Sequence, residues 1–110
     1  MSEIFYTAQK EWIELDVGWL TMGLTEKALE GDIVYIELPK VGQRLIKGSP
    51  CATVESMKAT VDICAPVSGV VSAINETVFD DPDAVTAKRA WLFKLDFEGE
   101  ADTSGWQREM

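Results

Sequence analysis

The residues on either side of Met57-Lys58 mirror one another in polarity. With Met57 and Lys58 at the two central positions of a tight turn, flanked by Ser56 and Ala59, Val54 faces Val61 and Ala52 faces Ile63. Glu55 then faces Thr60, and Thr53 faces Asp62. One face of the resulting hairpin is apolar and the other polar. Side chains alternate along a strand, so a slip of one residue would set polar groups against apolar ones at every step. The pattern therefore selects one register, and no other two-residue turn divides the faces as cleanly. It places Lys58 at a hairpin tip with its ammonium in solvent. Most lysines in such a place are ordinary solvated side chains. A protruding tip is nonetheless what a modifying enzyme needs in order to surround a nucleophilic amine.

The rest of the chain predicts an all-β domain. Short segments rich in β-branched and aromatic residues alternate with turn residues from start to finish, the pattern of a barrel or sandwich rather than of alternating β and α units. Glu11-Trp12-Ile13-Glu14-Leu15 alternates like a half-buried strand, Trp19 to Leu24 is a second strand, and Ile33 to Leu38 is the strongest. Thr25 through Glu30, closed by Gly31, predicts one short helix. Gln43 to Ile46, Cys51 to Ser56, Ala59 to Cys64, Val70 to Ile74 and Ala90 to Leu95 complete the strands, with a helical turn over residues 84–88. Residues 1–97 form a single domain in this reading, and the polar tail, 98–110, is expected to fray.

Composition removes several function classes. Ten Lys and Arg against 19 acids give a net charge of −9, which repels nucleic-acid phosphates and anionic lipids and suits basic rims on other proteins. The absence of histidine removes imidazole acid–base catalysis, Ser–His and Cys–His pairs and the commonest metal ligand. No apolar run approaches the roughly 20 residues that span a bilayer. The first residues, Met1-Ser2-Glu3-Ile4, lack the charge and apolar stretch of a signal peptide, so the expectation is a cytoplasmic monomer. Cys51 and Cys64 are too few for a zinc site and in the cytosol are expected to be reduced. They are equidistant from the turn, however. Opposed there, their Cα atoms would lie about 4.5 Å apart, the short end of disulfide geometry, so a reversible redox pair is an alternative to plain packing.

Two segments, Val54-Glu55-Ser56-Met57-Lys58-Ala59 and Ala65-Pro66-Val67-Ser68-Gly69-Val70-Val71, resemble the modification signature of the biotinyl/lipoyl domain family. The strand groups 42–56 and 59–74 would then be the halves of its flattened barrel–sandwich hybrid. Further segments are similar to H proteins of the glycine cleavage system: Tyr6-Thr7 with Glu11-Trp12, Gly23-Leu24-Thr25, Gly31 to Pro39, Val41-Gly42 and Trp91-Leu92-Phe93-Lys94. That resemblance runs from about residue 5 to 97. The chain departs from it at Lys10, where the family usually has histidine, in a shortened 25–30 segment, in a short stretch before Trp91, and in lacking a helix after Phe97. Methionine before the lysine is common in biotinylated domains, whereas Ala59 after it is typical of H proteins.

The resemblance implies a carrier and not an enzyme: lipoic acid joined as an amide to Lys58, with Glu55, Ser56, Met57 and Ala59 as the neighbours that define the modified turn. A lipoate-protein ligase or lipoyl transferase would attach the group. Glycine decarboxylase, aminomethyltransferase and dihydrolipoamide dehydrogenase would be the enzymes that visit it. Two alternatives stay open. One is a regulatory H-like carrier, acted on by lipoate ligase and ADP-ribosylation enzymes or relaying the lipoyl group. The other is a biotin carrier.

Overall fold

The computed structural model describes residues 2–86 and 90–108. Ten strands occur among them: β1 Glu3–Tyr6, β2 Glu11–Leu15, β3 Trp19–Leu24, β4 Ile33–Glu37, β5 Arg44–Leu45, β6 Pro50–Ser56, β7 Thr60–Cys64, β8 Gly69–Ile74, β9 Phe93–Asp96 and β10 Gln107–Arg108. A seven-stranded sheet runs in the order β10-β1-β2-β3-β9-β8-β5, and a three-stranded sheet in the order β4-β6-β7. All pairings are antiparallel. No closed barrel forms among the described residues; this is the expected all-β hybrid of two sheets.

The core lies where the sheets face one another. Ile13, Leu20, Met22, Phe93 and Leu95 from the large sheet meet Val54 and Ile63 from the small one, all at most 1% exposed. Their alternation along each strand is what closes the fold, since burying such a side chain is worth about 1.5–3 kcal/mol. Glu11, Trp12 and Ile13 are buried consecutively, so the expected alternation fails at the start of β2. Residues 90–92 explain part of this. They strap the far side of the large sheet: the Trp12 indole Nε1–H donates to the Ala90 carbonyl at 3.1 Å, and Leu92 N–H donates to Met22 O at 2.8 Å.

Three further expectations are corrected. The helix over 25–30 does not form. The segment is a turn with Ala28 N–H bonded to Thr25 O at 3.1 Å, and Leu29 is buried at 9% exposure. Burial of Leu29, rather than the Thr25 cap, sets the path of the segment. The short helix lies at α1, Thr77–Asp80, followed by a 3-10 turn, Pro82–Thr86. Asn75 organises its start: its side-chain oxygen accepts from the backbone and hydroxyl of Thr77, and its amide donates to Trp91 O at 2.9 Å. The helical turn expected over 84–88 coincides with the end of the 3-10 turn, while 87 and 88 lie outside the described residues.

The tail does not fray through residue 108. Trp106 packs on Phe5 with ring centroids 5.6 Å apart, β10 pairs with β1, and Arg108 reaches Glu3 at 3.0 Å. Aromatic burial of this kind offsets the ordering cost that a polar composition alone cannot. Finally, the β6–β7 ladder slips between Pro50 and Ala52: Pro50, not Cys51, pairs with Cys64. Proline has no N–H to give the ladder and is tolerated at a strand start or a bulge, so Cys51 becomes the extra residue.

Candidate functional site

The hairpin of β6 and β7 has the register read from its polarity. Ala52 pairs with Ile63, Thr53 with Asp62, Val54 with Val61 and Glu55 with Thr60. Ser56 N–H donates to Ala59 O at 2.8 Å, closing a turn whose two central residues are Met57 and Lys58. Met57, Lys58 and Ala59 are exposed, Met57 at 73%.

Ser56 does more than flank this turn. It is buried at 4% exposure. Its hydroxyl oxygen accepts from Lys58 N–H at 3.2 Å and Ala59 N–H at 3.1 Å, and the hydroxyl donates to Ala59 O at 3.3 Å. A two-residue turn leaves its own amides without ladder partners, and the serine supplies them. Ser56→Ala is expected to cost about 1 kcal/mol, because the freed amides sit near water and are only partly resatisfied. A lowered urea midpoint with an unchanged slope is the expected result; an unchanged midpoint contradicts the role.

A second loop supports the tip from the side. Met57 N–H donates to Asp32 O at 2.9 Å, tying the turn to the loop before β4. Gly31 has φ +86°, and a Cβ built there would lie 3.5 Å from Lys58 Cγ and 3.7 Å from Met57 Cβ. The lysine's carbon stem therefore rests on the glycine while its end projects outward. Among the described residues its ammonium is in no ion pair.

Beside the tip, the outward face of the small sheet is acidic. Glu55 is exposed between Tyr35 and Thr60, and Glu37 lies in the next row with Thr53 and Asp62. The Tyr35 hydroxyl donates to Glu37 Oε2 at 3.2 Å, and the charge of Glu37, with that bond, pushes the phenol pKa upward.

Glu11 is a charged residue whose burial the sequence reading missed. It is 5% exposed and lines a recess with Lys47, Asp62, Cys64 and Trp106. Its carboxylate accepts the Thr7 hydroxyl at 2.9 Å. Burial raises its pKa above the ordinary 4.5, only partly opposed by the Thr7 bond. An acid raised in the folded state binds protons more readily folded than unfolded, so its ionisation opposes folding as pH climbs past the unfolded value. Glu11→Gln should therefore gain stability relative to the native protein as pH rises from about 4 to about 7. A difference that is flat with pH, or that runs the other way, contradicts this burial cost. The one available sequence signal was an acid directly before Trp12 in a strand otherwise read as half-buried.

Of the residues singled out beforehand, Glu55, Ser56, Met57, Lys58 and Ala59 are brought together at the tip. Cys51 and Cys64 lie at the opposite end of the same strands, both as free thiols. In the sequence, Gly31 was read only as the close of the expected 25–30 helix and, with Asp32, as the opening of the strand that follows, not as a support for the lysine.

Residues 4–108 match the family model described as glycine cleavage H-protein. The chain is 43% identical over 120 residues to the glycine cleavage system H protein of Aromatoleum aromaticum, covering 99% of this chain and 94% of that protein. It is 39% identical over 105 residues to the H protein of Listeria monocytogenes serotype 4b, covering 91% and 84%. Among solved structures it is similar to a glycine cleavage system H protein from Mycobacterium marinum. That match has a TM-score of 0.81 and 31% identity, and it covers 96% of this chain and 90% of that one.

Proposed function

Because the chain belongs to the glycine cleavage H-protein family, a family of carriers, we propose that it bears a lipoyl group on Lys58 and carries it between the enzymes of glycine cleavage. The observation that carries this reading is the position of Lys58 at the centre of a two-residue turn, its stem seated on Gly31 and its amine exposed. When bound, the lipoyl group supplies a disulfide that takes up an aminomethyl unit with two electrons and is later reoxidised.

Everything else the chain does is presentation. Ser56 fixes the turn amides and Asp32 O anchors Met57 N–H, so the amine sits at a defined point on a rigid hairpin when a lipoate-protein ligase or lipoyl transferase closes around it. Loss of the ammonium charge on acylation breaks no ion pair among the described residues. The partners that follow are a pyridoxal-phosphate glycine decarboxylase, an aminomethyltransferase and dihydrolipoamide dehydrogenase. Tethering gives each of them the cargo at an effective concentration set by arm length rather than by bulk diffusion. No helix among the described residues is long and apolar enough to cross a membrane.

The reading is tested by reconstitution. Lipoylated protein, mixed with glycine decarboxylase, glycine and labelled bicarbonate, should support exchange of label into the glycine carboxyl group, and unlipoylated protein should not. Verified lipoylated protein that supports no exchange would sink the glycine-cycle assignment while leaving the carrier role standing.

A further inference from the structure

Cys51 and Cys64 lie on neighbouring strands at the base of the hairpin that holds Lys58. Ile63 is 0% exposed and points into the core, so the exposed Cys64 after it points away, and its ladder partner is Pro50, the residue before Cys51. The bulge seats Cys51 between the Pro50–Cys64 and Ala52–Ile63 pairs. The Pro50–Cys64 pair brings its own Cα atoms to about 4.5–5.5 Å, Cys51 is the next residue along, and a disulfide accepts about 4.4–6.8 Å. Cys51 is half-buried and Cys64 exposed, and both are free thiols. Burial pushes the Cys51 thiol up to about 12, with the neighbouring Cys64 and Glu11 adding to the effect.

We infer that Cys51 and Cys64 form a reversible disulfide staple across the base of the hairpin when the protein meets a peroxide. Cys64 reacts first because it is exposed to solvent, whereas Cys51 is half-buried and its burial-raised thiol meets peroxide poorly and acts only on a sulfur held beside it. The Cys64 sulfur attacks one peroxide oxygen, the O–O bond breaks, and water or an alcohol leaves with Cys64 as the sulfenic acid. The Cys51 sulfur then attacks the Cys64 sulfur. The S–O bond breaks, the departing hydroxyl takes the Cys51 proton as water, and the S–S bond forms. Two electrons pass from the two thiols to the peroxide, and a dithiol reverses the change by exchange.

The position gives the bond a consequence. Among the described residues β7 is an edge strand, paired in its sheet with β6. The staple ties that edge at the end opposite the turn and closes residues 51–64 into a loop containing Lys58. It also removes the local slack of the bulge. Nothing in this depends on what is attached to Lys58, so protein with the lysine unmodified is the material for the test.

The unmodified protein is treated with hydrogen peroxide, remaining thiols are alkylated, and the intact mass is read. The expected product has lost two hydrogens, takes up no alkyl group, and stays a single chain on a non-reducing gel. Its thermal midpoint should rise by about 10–15 °C, as cross-linking a loop of this size predicts, and return on reduction with a dithiol. Cys51→Ser should leave a sulfenic acid on Cys64 that a 1,3-diketone traps, and Cys64→Ser should leave Cys51 unoxidised at the same dose. The inference is overturned if both thiols of the native protein remain alkylatable, if the bond forms between chains, or if Cys64 oxidises past the sulfenic acid with Cys51 intact.

Discussion

Lys58→Arg should abolish the covalent adduct while leaving the fold unchanged. Arginine keeps the charge and a stem long enough to lie over Gly31, against which Lys58 Cγ is placed. Its guanidinium cannot be deprotonated to a nucleophilic amine in a protein. Because the end of the side chain is exposed and outside any ion pair among the described residues, the stability change should stay within about 0.5 kcal/mol. Expressed in a host that lipoylates the native protein, the variant should show only its unmodified mass, and glycine-dependent exchange should fall to background. An adduct persisting at another lysine would mean that the tip geometry does not select the site.

Gly23→Ala should have the largest effect on stability. A Cβ at this position would lie 2.2 Å from the Ala90 carbonyl oxygen and 2.8 Å from the Trp12 indole nitrogen, the two atoms joined by the hydrogen bond that holds the 90–92 strap. The clash is with backbone and cannot be relieved by turning a side chain. Displacing the strap also strains the bonds from Leu92 N–H to Met22 O and from Asn75 N–H to Leu92 O. Overpacking plus a broken buried bond should cost about 3 kcal/mol or more, lowering the thermal midpoint by more than about 10 °C. Gly105→Ala is the control, since no atom lies within 4 Å of a Cβ built there. If the two variants unfold at similar temperatures, the strap is not a structural constraint.

What the sequence made legible is what local polarity encodes. The hairpin register from Ala52 to Glu55 could be read because each residue has a partner of like polarity across the turn, and the structure pairs them so. The break at Cys51 could not be seen that way. It comes from the missing N–H of Pro50, which matters only once the ladder exists. The same limit explains the tail. Residues 98–110 are polar and suggested fraying, yet Trp106 and Arg108 find Phe5 and Glu3 about a hundred positions earlier, a pairing no window of sequence contains. In the 25–30 segment a plausible cap outweighed Leu29, whose burial decides the backbone path.

The site divides along the same line. Lys58 and its immediate neighbours followed from pairing, and the lipoyl expectation from resemblance. The supports did not: Ser56 as the acceptor for the turn amides, Asp32 O beneath Met57, and Gly31 under the lysine stem. They arise where β4 is laid beside β6, with a bulge between Ile33 and Tyr35. Gly31 is the residue type that a φ of +86° favours. Buried Glu11 belongs to the same class of feature, because its environment is assembled from Thr7, Asp62 and Trp106 on separate elements.

The most direct test of a lipoyl carrier is the intact mass of the protein purified from cells with a working lipoylation system, with the modified peptide then sequenced. A single lipoyl amide on Lys58 is the expected result. A biotinyl adduct on Lys58, or an unmodified lysine in protein from such cells, would contradict it.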